Sequence, residues 1–133
     1  MIIYFDSVIA IYLLDHTGIF QARAQVRLAA LEKAGDRIAV SDLARLECRI
    51  KPIRLGDAIS LAKFDAFFAR PDVQRSPMTT AVFDRATDLR ATHNFKLGDS
   101  LHLAAAIEAG CDRFLTNDHR LNACKDIAVE VLA

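Results

Sequence analysis

Four short apolar runs, each followed by a stretch patterned as a helix or a turn, constrain this chain more than anything else in it. They are "IIYF" at 2–5, "RIAVS" at 37–41, "RFLTN" at 113–117 and "IAVEVL" at 127–132. Each has the length and the continuous hydrophobicity of a strand buried on both faces. "VQRSPMT" is a fifth candidate, weakened by Pro77, which cannot donate to a ladder. Between the runs lie helical patterns at 8–14, 20–35, 41–50, 56–70, 81–94 and 98–110. Ser41 is placed to cap the third, with Asp42 in its first turn, and Pro52 is expected to end or kink it. The last two strands are separated by a polar turn or a single helical turn. Strands alternating with helices predict an α/β layer structure with a mainly parallel sheet. In such sheets ligands bind beyond the carboxyl ends of the strands, so the residues just after each strand become the ones to watch.

With 133 residues, 53% hydrophobic and 26% charged, the chain reads as one globular domain spanning 1–133. Lys plus Arg and Asp plus Glu both total 17, so no global positive charge points to nucleic acid; such binding would need a local patch or a metal ion. Cys48, Cys111 and Cys124 are scattered and odd in number, which suits free thiols in the cytoplasm better than a disulfide frame or a zinc site. The apolar amino terminus has no basic leader, is broken by Asp6, and falls short of the roughly 18 apolar residues of a membrane span.

Four carboxylates sit where solvated acids do not belong. Asp6 interrupts an apolar run directly after the first strand, and Asp118 directly follows "RFLTN". Either could cap the helix after it, but together they put two carboxylates on one edge of a parallel sheet. Glu47 falls on the stripe of Leu43, Leu46 and Ile50, predicted to face inward, where it needs a cation or a nearby arginine as partner. Asp99 opens a helix that is apolar on nearly every side, and could cap it. Crowded carboxylates repel unless a cation neutralises them. Mg²⁺ or Mn²⁺, which prefer oxygen ligands, would do so, and would acidify a bound water for attack on a phosphodiester.

At this point the sequence resembles the PIN-domain ribonucleases, especially the VapC-type toxins of bacterial toxin–antitoxin pairs. The resemblance spans essentially the whole chain. It rests on "IIYFDSVIAIYLLD", on the glutamate of "SDLARLECRI", on "KLGDSLHLAAAIEAG" and on "DRFLTNDHRL". It implies that Asp6, Glu47, Asp99 and Asp118 form the family's acidic quartet, with Ser7, Thr116 and Asn117 as supporting polar residues. It also implies a three-layer α/β/α sandwich of about five short strands, Mg²⁺ dependence with Mn²⁺ as substitute, endonucleolytic RNA cleavage, a homodimer, and a cognate antitoxin. An inhibitory partner would place a basic residue among the acids and apolar residues near 8–14 and 59–68, although most side chains there read as core.

The basic residues nearest the acids are Arg45, Arg49, Lys51 and Arg54, then Lys96, Arg113 and Arg120; each reads as a solvated or ion-paired side chain. His102 and His119 read as core or surface residues, since a metal-activated water needs no histidine base. A haloacid-dehalogenase-like phosphatase would carry a second Asp two positions after Asp6, where Val8 stands. A phospho-acceptor receiver would need paired acids after the first strand and a lysine after the last ones, which "YFDSV" and "LTNDH" do not supply. A degenerate PIN-like interaction module without catalysis is the remaining alternative.

Overall fold

The apolar run at the amino terminus becomes the central strand of a parallel sheet. The computed structural model describes residues 1–15 and 17–132. Along the chain these form β1 (Ile2–Phe5), α1 (Ser7–Asp15), α2 (Ile19–Lys33), β2 (Arg37–Ser41), α3 (Asp42–Leu55) and α4 (Ala58–Phe68). Then come β3 (Val73–Ser76), α5 (Thr80–His93), α6 (Leu97–Glu108), β4 (Arg113–Thr116), a 3₁₀ turn (His119–Ala123) and β5 (Ala128–Val131). The sheet order is β3-β2-β1-β4-β5, and all four pairings are parallel. The weak fifth candidate is a real strand, but at the edge, and it stops at Ser76 before Pro77.

Successive residues of β1 point to opposite faces. Ile3 and Phe5 pack with Ile38, Val40 and Leu115 beneath α1–α4, against Ile9, Leu13, Leu31, Phe64, Phe67 and Phe68. Tyr4, Ala39 and Phe114 face the other way, onto Val82, Ala86 and Leu89 of α5 and Leu101, Leu103 and Ala106 of α6. Helices therefore cover both faces, giving the α/β/α sandwich. No helix among the described residues is long and apolar enough to cross a membrane.

Two local expectations are corrected. Helix α3 does not stop at Pro52 but continues to Leu55, ending at Gly56 in the left-handed conformation (φ 66°). Proline removes the hydrogen bond to the carbonyl four residues earlier and crowds that carbonyl, yet the helix runs on past it with the ring buried. Leu46 and Ile50 do not face inward; they are 56% and 44% exposed, and the buried line of α3 is Ala44, Cys48 and Pro52. Small side chains let α3 pack closely, and the larger aliphatics are left on its outer face. Of the side chains at 8–14 and 59–68, Ile9, Ala10, Tyr12, Leu13, Phe64, Phe67 and Phe68 are core, the fate expected for most of them, while Ile59 is exposed.

Phe64 is 1% exposed beneath the sheet. Its replacement by alanine should cost about 3–5 kcal/mol in chemical denaturation; a loss under about 1 kcal/mol would contradict the packing described.

Candidate functional site

Strand order makes one crevice special. From β1 the chain moves outward to β2 and β3, then returns to the other side of β1 to build β4 and β5, so connections diverge between β1 and β4. That divergence point, at the carboxyl ends of the strands, is where open α/β sheets bind ligands. Asp6 directly follows β1 and Asp118 lies two residues after β4.

Thr116 joins them. Its buried hydroxyl donates to Asp6 Oδ2 at 2.8 Å and accepts from the Asp118 N–H at 3.2 Å. The Asp6 N–H reaches the Leu115 carbonyl at 3.0 Å, extending the β1–β4 ladder by one bond. The Asp6 carboxylate is itself nearly buried. Asp118 does cap, as one reading of the sequence had it: its Oδ1 accepts the Arg120 N–H at 3.0 Å at the start of the 3₁₀ turn. The Arg120 guanidinium also grips both carboxylate oxygens, with Nη2 2.6 Å from Oδ2, and this hydrogen bonding holds Asp118 below the ordinary aspartate pKa.

Asp99 differs. Helix α6 starts at Leu97, with Lys96 at the N-cap, so Asp99 lies within the first turn and does not cap. Its carboxylate has no hydrogen bond or ion pair among the described residues. Burial, then the charges of Asp6 and Asp118, raise its pKa, while His102 and Arg120 oppose the rise. Asp6, Asp99 and Asp118 are thus within electrostatic reach of one another.

Glu47 finds a histidine, not the arginine considered as its partner. Arg49 and Arg45 turn to Asp65, at 2.9 and 3.8 Å. Glu47 Oε1 is in close contact with His102 Nε2, which also lies 3.8 Å from Asp6 Oδ1. Its other oxygen, Oε2, faces the start of α6: a Cβ built on Gly98 would stand 3.6 Å from it. The four acids therefore gather at one end of the sheet, from β1, α3, α6 and the turn after β4. Among the described residues no three acid, histidine or cysteine side chains stand ready-made as a metal site. Three of the four acids already have a partner, Glu47 in His102, Asp118 in Arg120 and Asp6 in Thr116.

The supporting residues divide. Thr116 lies at the centre of the site. Ser7 opens α1, and its carbonyl receives the Cys48 thiol at 3.7 Å. Asn117 turns to Tyr12, its Nδ2 donating to the phenol oxygen at 2.6 Å. Ion pairing, expected for the basic residues, holds for Lys51 with Asp15 and Arg113 with Glu130 as well. Lys96 and Arg120 line a cavity of about 290 Å³ with Asp99, beside the stacked rings of His93 and Phe95.

His102 joins the four acids as a fifth residue of the site. It is a core residue, as expected, but one that touches two of the acids. Its position three residues after Asp99 on one helix face was the available signal.

The PIN domain family matches residues 3–126. No curated protein matches the chain. Among solved structures, the chain resembles VapBC2 from Rickettsia felis, bound to a DNA fragment from their promoter, with TM-score 0.79 and 16% identity over 100% of both chains. It also resembles VapC20 of Mycobacterium tuberculosis, a sarcin-ricin loop cleaving toxin (TM-score 0.75, 16% identity, 91% of this chain and 93% of that one). A toxin-antitoxin complex from Klebsiella pneumoniae is similar as well (TM-score 0.72, 19% identity, 98% and 97%). At these identities the likeness is one of fold.

Thr116→Val keeps the shape but leaves the Asp118 N–H and an Asp6 oxygen without their partner. Unfolding by urea should show a loss of about 1–3 kcal/mol; an unchanged midpoint would mean the hydroxyl bridges nothing of consequence.

The raised pKa of Asp99 has a definite sign. The folded protein holds that proton more tightly than the unfolded chain does, so stability falls as pH rises from the ordinary value through the raised one. Without added metal, Asp99→Asn should therefore gain more in melting temperature over the parent at about pH 7 than at about pH 4. A gain that is equal at both, or larger in acid, would contradict the assigned electrostatics.

Proposed function

The chain belongs to the PIN-domain family, and from that premise we propose that it is a metal-dependent endoribonuclease, the toxin of a toxin–antitoxin pair. The observation that carries this reading is the Thr116 bridge, which ties Asp6 to Asp118 at the divergence point of the sheet with Asp99 in electrostatic reach. An all-oxygen donor set of clustered carboxylates suits Mg²⁺, or Mn²⁺ in its place. Asp99, without a hydrogen-bond partner among the described residues and with its pKa raised by burial and then by Asp6 and Asp118, is the acid a cation would relieve most. Asp6, Glu47, Asp99 and Asp118 are the residues that would hold the ion. When bound, the ion supplies an acidified water and neutralises phosphoryl charge.

The residues themselves do the rest. Thr116 fixes the Asp6 carboxylate by its hydrogen bond, and the β1–β4 ladder fixes the backbone beneath it. Arg120 neutralises Asp118; a cation there must share the carboxylate or displace the guanidinium, and an approaching RNA phosphate offers Arg120 another partner. Lys96, at the same cavity, adds positive charge on the route to Asp99. Ser7 and Asn117 support the carboxyl end of the sheet from α1 and from the end of β4.

RNA as substrate and an antitoxin as partner are supported by the relatives: one is a toxin that cleaves the sarcin-ricin loop, and another was solved as a toxin-antitoxin complex. The outer face of α3, where Leu46, Ile50 and Ile53 line a cavity of about 770 Å³ with Arg45, Arg49 and Arg54, is where the antitoxin's apolar residues would lie. We read the whole chain as one nuclease domain, working as a homodimer in the cytoplasm, where its three buried thiols stay reduced.

A second reading, an interaction module without catalysis, draws on the prior engagement of Glu47 and Asp118. One experiment separates the two. Freed of any antitoxin, the protein should cut RNA with Mg²⁺ or Mn²⁺, stop with EDTA, and leave 5′-phosphate and 3′-hydroxyl ends. Asp6→Asn should keep its fold and lose at least about 100-fold in rate, beyond the 10–100-fold typical of an outer partner of a metal ligand. Cleavage indifferent to chelation, or cyclic phosphate products, would sink the mechanism; no cleavage at all would favour the interaction module.

A further inference from the structure

We propose that His102 is a positioning residue that holds Glu47 in place for the cation, through a hydrogen-bond chain anchored at the N-cap of the helix that carries Glu47. This rests on the metal-site reading above and adds to it a residue outside the acidic quartet.

The chain is short and buried. The Ala44 N–H donates to Ser41 Oγ at 3.4 Å, capping α3. Ser41 Oγ lies 2.7 Å from the Tyr4 hydroxyl, which lies 2.7 Å from His102 Nδ1. His102 Nε2 then meets Glu47 Oε1. Ser41, Tyr4 and His102 are each at most 1% exposed, so water does not compete for these bonds.

The polarity follows from donor chemistry. A carboxylate oxygen only accepts, so the hydrogen shared with Glu47 is on Nε2. At Nδ1 the Tyr4 hydroxyl can donate or accept, so the ring keeps its Nε2–H whether imidazole or imidazolium. Burial pushes the Tyr4 pKa far up, and the phenol keeps its proton. Tyr4 is held in turn, stacked on Phe114 with centroids 5.4 Å apart and planes 8° from parallel, and meets His102 edge-on at 5.8 Å.

Glu47 needs such a tether more than the other acids do. It has the longest side chain of the four and stands on a helix face with part of its surface in solvent. Left alone it would sample several rotamers, and binding an ion would have to select one. With Oε1 held by His102, Oε2 is left directed at the start of α6, where Asp99 lies. The division of labour is one oxygen for the protein and one for the ion.

The test is Mn²⁺ titration by calorimetry on the full chain. His102→Leu should weaken Mn²⁺ binding by about 10–100-fold, as loss of a ligand's hydrogen-bond partner does. His102→Gln, whose amide N–H can reach toward Glu47, should recover part of the loss. Tyr4→Phe, which frees the ring but leaves its Nε2–H, should lose less than His102→Leu. In a Glu47→Gln background, His102→Leu should add little. Nitrogen-15 NMR of His102 should find a proton on Nε2. If the unmodified protein binds Mn²⁺ and folded His102→Leu binds it equally well, the inference is overturned while the metal reading stands. Equal losses in His102→Leu with and without Glu47 would make the role merely structural, and overturn it too. Should His102→Leu not fold, unchanged affinity in both His102→Gln and Tyr4→Phe, or an Nε2 without its proton, overturns it. An unmodified protein that binds no Mn²⁺ overturns the metal reading first, and this one with it.

Discussion

Everything at this site depends on the parallel pairing of β1 with β4. Those two strands lie side by side although about 110 residues of chain separate them, and their registered ends bring Asp6, Thr116 and Asp118 together. One threonine hydroxyl, with its donor turned to a carboxylate and its lone pair to a backbone amide, makes this strand end a rigid unit. Loops alone could carry the same residues, but strand ends held by a ladder place them more precisely because every neighbouring bond restrains them.

Around that unit the protein manages like charges at close quarters. Asp118 is relieved by a guanidinium, Glu47 by an imidazole and Asp6 by a hydroxyl, while Asp99 has no hydrogen-bond partner among the described residues and feels His102 and Arg120 only through space. The result is uneven: Asp118 is an easily ionised acid and Asp99 a reluctant one, within one cluster. Four carboxylates crowded at the carboxyl end of a sheet repel one another, and that repulsion works against the folded state.

The fold was legible because its signals are local. A four-residue apolar run needs only its own residues to announce a buried strand, and all five candidates, including the one weakened by Pro77, are strands. Asp6 and Asp118 stand out because a carboxylate after such a run is out of place; Glu47 was singled out by a stripe whose Leu46 and Ile50 turn outward. What escaped was set by tertiary context. The face of α3 was misassigned because Leu46 and Ile50 outrank Ala44 and Cys48 in hydrophobicity, yet the small residues are the ones that fit beneath the helix. Pro52 lies within a helix because burial and the Gly56 cap outweigh one lost hydrogen bond. The partners of Glu47 and Asp118 are a histidine 55 residues away and an arginine two residues away. Neither follows from periodicity, since both are choices among several neighbouring cations.

The order of strands also has a consequence for how such a chain comes into being. Ribosomes deliver β1, β2 and β3 first, and these three are neighbours in the sheet, so that half can pair while synthesis continues. The other side of β1 must wait for β4, and the bridge to Asp118 closes only after residue 118 has emerged. A nascent chain therefore carries Asp6, Glu47 and Asp99 without the strand that completes their arrangement. The long-range closure that slows folding also delays assembly of the acidic cluster until β4 and the turn after it have been made.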